Sequence, residues 1–388
     1  MRLLILTDGI APWVIGGMQK HSYHLAKELA IQGNDITLAH CVHNKVNLPS
    51  QEEVKSHMGL TSAINIEIHA FLFPKAATYP GHYLSESYQY SRELFLFYER
   101  ALNTFDFIYA KGFTAWHFLK KKRGGYTMPP VGVKFHGYEM FQKPANLKMR
   151  LQNYLLQGSV KWNSIHADFV FSYGGEISRL IEKIGIKRDR IIEIPTGIDS
   201  QWITTRALDS DSSLRNFCFV GRYERRKGIE EIHAALKTLP EQGFHFHFIG
   251  PIPQSAQINK SNVTYHGALN DSKRIQEILD DCDVLVAPSY SEGMPNVIME
   301  AMARGLAVIS TPVGAIESII SKDNGWLIKP GDSSRLAKLI LEITELDIAS
   351  LNIKKESSLA IVNQLTWDKI ATRTILELSK QLTKEDCS

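Results

Sequence analysis

Short runs of Val, Ile, Leu and Phe alternate with helix-length amphipathic segments from one end of this chain to the other, and that alternation limits the folds open to it. The first half carries RLLILT (2–7), DITLAHC (35–41), FDFIYA (105–110), VGVKF (131–135), DFVFS (168–172) and RIIEIP (190–195). The second half carries NFCFVG (216–221), HFHFIG (245–250), NVTYH (262–266), DVLVA (283–287), LAVIS (306–310) and GWLI (325–328). Several of these runs are apolar at nearly every position. That suits strands buried on both faces, and hence parallel sheets covered by helices. MQKHSYHLAKELAIQGN, after the first run, reads as a helix with a Gly-Asn stop. The unit βαβ recurs in two series, which predicts an α/β chain of two Rossmann-like doubly wound domains with a ligand cleft between them. A length of 388 residues fits two cores better than one. The boundary is expected in IPTGIDSQW (194–202), giving a first domain over 1–197 and a second over 198–366.

Several function classes are excluded or disfavoured by composition. No apolar run approaches the length of a membrane span, and MRLLILTDG is too short for a signal-peptide core. The four cysteines, Cys41, Cys218, Cys282 and Cys387, are far apart and have no metal-ligand spacing, so a reducing cytoplasm is the expected home. Net charge is only +3, yet residues 101–165 hold ten Lys/Arg against two acids, a local +8. Simple solubility accounts for such a face as well as an anionic partner does. The sharper expectation is a surface for an anionic substrate or for an anionic membrane, met through the basic region 111–161; the basic amphipathic NLKMRLQNYLLQGSVKW (146–162) reads either as an ordinary helix on the sheet or as one lying on such a membrane. No interleaving of aromatics with the basic residues stands out as a base-stacking pattern, so nucleic acid is not an expected partner. The Tyr- and Phe-rich segment 75–102 reads as core, and no site is drawn from it.

In an open α/β sheet, ligands bind beyond the carboxyl ends of the strands. After the first run, Gly16 and Gly17 precede a helix, where backbone can approach an anion closely. A plain glycine cap explains them equally well, and the G-x-G-x-x-G dinucleotide fingerprint is missing. His136 follows VGVKF, where it can bond a sugar hydroxyl or handle a proton; a structural His is the bland alternative. GRYERRKG after NFCFV places Gly221 at a turn, with Arg222 and Lys227 able to close on a diphosphate. Arg225 and Arg226 are expected to face solvent.

PSYSEGMPNVIMEAMARG (288–305) is the most constrained corner. Pro295 suits the first position of a helix, and the N–H groups of Met294, Asn296 and Val297 are then expected to point at a ligand. Asn296, Glu300 and Arg304 share one face at i, i+4 spacing. Glu300 can accept both hydrogens of a vicinal diol, and Glu292, beside Gly293, can do the same for a hexose. The competing reading is a dipole-friendly acid at Glu292 and an exposed Glu300–Arg304 pair.

EGMPNVIMEAMARGLAVI resembles the E-x7-E motif of retaining nucleotide-sugar glycosyltransferases of the GT-B fold, family-4 type. FVGRYERRKGIEEIHAAL resembles that family's phosphate-binding segment, IPTGID its interdomain segment, and GGMQKHSYHLAKELAIQGNDITLA its N-terminal glycine loop. The likeness is strongest over 190–330 and weaker over 45–165. It implies that Glu300 binds ribose hydroxyls, and that Glu292 binds donor-sugar hydroxyls with help from backbone N–H groups such as those of Met294 and Asn296, around Gly293 and Pro295. It implies that Arg222 and Lys227, next to Gly221, hold the diphosphate, that Gly16 and Gly17 approach from the first domain, and that His136 touches the donor sugar. A C-terminal helix (367–386) is implied to rejoin the first domain. Also implied are transfer of a hexose-type sugar with retention, from a UDP donor before GDP, to a glycan or lipid-linked acceptor in polysaccharide, lipopolysaccharide or glycolipid synthesis. No cofactor and no metal are expected; DSD (209–211) reads as solvated linker. The alternatives are another GT-B enzyme, such as a nucleotide-sugar epimerase or a phosphorylase-like enzyme, or a non-catalytic sugar- or protein-binding module.

Overall fold

The computed structural model describes residues 1–43, 47–75, 81–101, 104–144, 146–205 and 214–385; the DSD stretch lies outside them. It consists of two compact units, one of residues 1–141, 151–197 and 367–388, the other of 142–150 and 198–366. Residues 142–150, inside the stretch the sequence division leaves with the first domain, cluster with the second unit.

The first unit is built on β1 (Arg2–Leu6), β2 (Asp35–Val42), β3 (Ile66–Leu72), β4 (Phe107–Lys111), β5 (Val131–Lys134), β6 (Phe169–Ser172) and β7 (Ile191–Glu193). Its helices are α1 (Gly17–Ile31), α2 (Gln51–Met58), α3 (His82–Arg100), α4 (Trp116–Arg123), α5 (Leu147–His166), whose first four residues cluster with the second unit, and α6 (Glu176–Lys183). All strand pairs are parallel, in the order β3-β2-β1-β4-β5-β6-β7.

The second unit has β8 (Arg215–Val220), β9 (Phe244–Ile249), β10 (Val263–Tyr265), β11 (Val284–Ala287), β12 (Ala307–Ser310) and β13 (Gly325–Leu327). Between and after them run α7 (Ile229–Thr238), α8 (Ser272–Asp280), α9 (Asn296–Ala303), α10 (Ser333–Thr344) and α11 (Ile348–Val362). This sheet is also parallel, in the order β10-β9-β8-β11-β12-β13. Phe217 and Phe219 of β8 pack with Phe244, Phe246 and Phe248 of β9 in its core. Burial of such side chains drives the sheet–helix sandwich, at about 25 cal/mol per Å² of apolar surface. Helices α8, α10 and α11 start on Asp271, Asp332 and Asp347, whose carboxylates accept backbone N–H groups and end the preceding loops.

The last helix, α12 (Trp367–Glu385), belongs to the first unit. Trp367 stacks on His24 of α1, with ring centroids 5.5 Å apart, and Gln32 Nε2 donates to Asp368 O at 2.7 Å.

In each unit the strand order reverses direction beside the first strand, between β1 and β4 and between β8 and β11. These are the topological switch points at which a doubly wound sheet opens a crevice. They place the loops after β1, β8 and β11 where a ligand can reach them.

Candidate functional site

The second unit gathers most of the sequence-predicted residues at its switch point. The loop after β8 turns through Arg225–Lys227, a single 3-10 turn, into Gly228 at φ +72°. A Cβ on Gly228 would stand 2.1 Å from Pro288 O, so only glycine lets this turn press against the loop after β11. Tyr290 N donates to Arg226 O at 2.7 Å and clips the two loops together. Gly314, at φ +62°, backs the corner from the other side, with Ala315 N donating to Gly293 O at 2.8 Å.

Glu292 is buried at this junction. Its Oε1 accepts from Lys227 Nζ at 2.6 Å and from Ser289 Oγ at 2.9 Å, while Oε2 lies 3.7 Å from Arg226 Nη1. Its peptide is held as well. Gln142, part of the second unit, donates to Glu292 O at 2.6 Å and accepts from Glu292 N at 3.2 Å. Lys227 and Glu292 are thus a shielded charge pair, and Met294, two residues on, is buried.

Arg222 is the outward member of the group. Its side chain is 70% exposed and rests on Glu224 at 2.9 Å, so a ligand can recruit it without opening the core. Gly221 N donates to Ile249 O at 2.9 Å, which fixes the turn out of β8. Pro295 caps α9 with extended backbone and Asn296 is the first helical residue, one position later than the sequence pattern suggests. Among the described residues no side-chain cap bond closes this terminus, which leaves its first N–H groups to a ligand. Glu300, half-buried, stands one turn along α9 from Asn296.

The structure sets aside one competing reading and corrects one expectation. Arg304 does not sit beside Glu300 as an exposed pair. It caps α9 and turns inward, its Nε and Nη2 each 2.6 Å from an oxygen of Asp280, with Nη1 on Trp202 O at 3.1 Å. Arg225 and Arg226 do not merely face solvent. Arg225 makes a two-pronged contact with Glu231 at 2.8 and 2.7 Å and covers the Tyr290 ring, and Arg226 bridges Glu224 and Glu292.

In the first unit, Gly16 caps α1 and Gly17 opens it, again without a side-chain cap bond. His136 lies two residues beyond β5, its Nδ1 2.9 Å from the Tyr173 hydroxyl. Sequence reasoning missed Ser289 and Gln142, which hold Glu292, and Lys111, Lys134 and His21, a buried cluster whose His21 and Lys134 pack on Tyr173, the neighbour of His136. The available signal was a lysine ending or nearly ending an apolar run twice, in FDFIYAK and VGVK. Among the described residues no group of three or more His, Cys, Asp or Glu side chains is placed to hold a metal ion. No described helix is long and apolar enough to cross a membrane.

Residues 215–345 match the family model described as glycosyl transferases group 1, and residues 15–202 match that of glycosyltransferase family 4. The chain carries a glycosyltransferase family 4 domain in its first half and a group 1 glycosyl transferase domain in its second. It is similar to a putative colanic acid biosynthesis glycosyltransferase, WcaL, of Escherichia coli K12, with 28% identity over 44% of this chain and 46% of that one. It is also similar to the N,N'-diacetylbacillosaminyl-diphospho-undecaprenol alpha-1,3-N-acetylgalactosaminyltransferase of Campylobacter jejuni, at 26% over 50% of this chain and 53% of that one. The chain spans about half the length of these curated relatives.

The chain has the GT-B fold. Sucrose-phosphate synthase from Thermosynechococcus elongatus superposes with a TM-score of 0.74, at 17% identity and 99% coverage of both chains. Anabaena HepE, in complex with UDP and glucose, superposes with a TM-score of 0.66, at 17% identity over 98% of this chain and 99% of that one.

Proposed function

We propose that the chain is a retaining glycosyltransferase that moves a hexose-type sugar from a nucleoside diphosphate donor, UDP before GDP, to a glycan or lipid-linked acceptor in cell-surface polysaccharide or lipid-glycan assembly. The observation that carries this reading is the junction of Lys227, Arg226 and Glu292 at the β8–β11 switch point, beside the open N-terminus of α9. Cations and a helix N-terminus suit a diphosphate, and the adjoining carboxylate suits sugar hydroxyls.

Lys227 leaves Glu292 for the diphosphate as the donor enters, and Oε1 of Glu292 becomes an acceptor for donor-sugar hydroxyls. Arg222 swings from Glu224 onto the leaving phosphate. Glu300 takes the ribose diol, while Asn296 and the peptides of Gly293 to Pro295 line the sugar side. Gly16, Gly17 and His136 serve from the first unit. The charge that grows on the departing diphosphate is met by these cations, so the reading calls for no metal and no cofactor. Placement and electrostatic stabilisation supply the catalysis.

Support for the donor comes from the UDP and glucose bound by HepE, and for a lipid-linked acceptor from the undecaprenol named for the Campylobacter relative. A cytoplasmic site at the inner membrane face follows from such an acceptor and from the α5 surface discussed below.

The test is transfer of labelled sugar from UDP-hexoses to lipid-diphosphate-linked saccharides, with chelator present and with the anomeric configuration of the product read by NMR. Retained configuration is expected. Arg222→Ala and Lys227→Ala are each expected to slow transfer by ~10²-fold or more. Near-wild-type turnover in both variants contradicts the assignment. Release of an isomerised sugar without any acceptor would mark an epimerase instead.

A further inference from the structure

Two buried lysines in the first unit take no part in the reading above. Lys111 ends β4 and Lys134 ends β5, and each is 2% exposed. The imidazole of His21, buried on α1, lies between them. Its Nδ1 is 2.9 Å from Lys111 Nζ and its Nε2 is 3.2 Å from Lys134 Nζ.

A neutral imidazole has one N–H and one lone pair, so two ammonium groups cannot both donate to it; an imidazolium would face both with hydrogens. One of the two amines is therefore neutral. Lys111 is the ammonium, because it also donates to Met18 O and Ser22 Oγ, both at 3.0 Å. His21 then accepts at Nδ1 and donates through Nε2 to a neutral Lys134. The hydrogens of Lys134 go to Ile194 O at 3.2 Å and to the face of the Tyr173 ring, 4.0 Å from its centroid. Burial pushes both amines the same way. Lys134 falls well below the ordinary amine range through burial and then the charge of Lys111, whereas Lys111 falls only to about 7 because Asp8 opposes its burial.

Tyr173 follows β6 directly and is buried. Among the described residues its hydroxyl has one hydrogen-bond partner, His136 Nδ1 at 2.9 Å. A buried hydroxyl hydrogen needs an acceptor, and burial raises the phenol's pKa, which keeps that hydrogen in place. Tyr173 therefore donates and Nδ1 accepts, which leaves the imidazole hydrogen on Nε2.

We propose that Tyr173, carried on the neutral amine of Lys134, is a positioning residue that holds His136 as the Nε2–H tautomer, so that His136 meets the donor sugar as a hydrogen-bond donor rather than as a base. This rests on the reading that His136 touches the donor sugar. Sugar oxygens accept hydrogen bonds, so a fixed N–H suits contact with a hydroxyl or with the departing oxygen.

The test uses full-length protein labelled with ¹⁵N-histidine, with the His136 signal assigned by its loss in His136→Gln. Wild type is expected to show a hydrogen on Nε2 alone. Tyr173→Phe is expected to show mixed tautomers and a kcat lowered about fivefold to tenfold, as loss of one hydrogen bond implies, with donor KM within about twofold. Lys134→Met is expected to move both readouts in the same direction. A hydrogen on Nδ1 in wild type overturns the proposal, and so does a Tyr173→Phe protein with unchanged tautomer and kcat. If the tautomer shifts but His136→Gln turns over like wild type, it is the sugar contact of His136 that fails.

Discussion

Arg304 shows how a single side chain decides between a surface and a scaffold. At i+4 from Glu300 it reads as half of an exposed helix pair, worth a few tenths of a kcal/mol. The structure instead buries it against Asp280, with side-chain exposures of 9% and 10%. Its third contact, to Trp202 O, ties the end of α9 to the segment entering the second unit. Removing one partner of such a pair leaves an uncompensated charge. Arg304→Ala is thus expected to lower unfolding stability by about 3–5 kcal/mol, read from denaturant midpoints. A loss below about 1 kcal/mol would return the residue to the surface. Glu292 differs, because its carboxylate is bound by groups a ligand can displace: an amine, a hydroxyl and a distant guanidinium.

At the scale of elements, the strands with continuous apolar runs are legible from sequence because burial on both faces leaves them no polar positions. The strand that escapes is β3. It lies at the edge of the first sheet, its burial alternates over its first residues, and INIEIHAFL carries Glu67 and His69 among its apolar residues. The corner at α9 was legible because Gly, Pro and two spaced acids have few other uses together. The Lys111–His21–Lys134 cluster was not, because three distant segments meet there and nothing local marks the meeting. Helix α5 was legible only as basic and amphipathic. In the structure Leu147, Leu151, Tyr154 and Leu155 are 81%, 67%, 74% and 52% exposed, at i, i+4, i+7 and i+8, on a helix without a single acid. An apolar stripe with Lys148, Arg150 and Lys161 on the same helix has the make-up of an interfacial helix. Binding to phosphatidylglycerol vesicles is expected to exceed that to neutral ones and to fall at least about tenfold in Leu151→Asp/Tyr154→Asp. Equal binding of wild type and variant would contradict a membrane role for α5.

At the scale of the whole molecule, the buried amines make stability depend on pH. Lys111 titrates at about 7 when folded, against an ordinary value of 10.5, and Lys134 lies well below its own ordinary value. Below the folded values both states hold the protons and the penalty is at its full size. Between the folded and ordinary values the unfolded chain holds protons that the folded chain lacks, so these groups favour folding more as pH rises. The melting temperature of wild type relative to Lys134→Met is expected to climb from pH 7 to about 9.5, and a constant difference would show that Lys134 is charged in the fold. The central claim is that the second unit's switch point holds a nucleoside diphosphate. Calorimetry of the protein against UDP, GDP and ADP, with and without chelator, tests it most directly. The account predicts that one nucleotide, UDP first, binds in chelator, and that Lys227→Met and Glu300→Ala each weaken it at least about tenfold, as loss of a charge-assisted contact implies. Absence of binding by all three would contradict it and make the corner around Glu292 architecture alone.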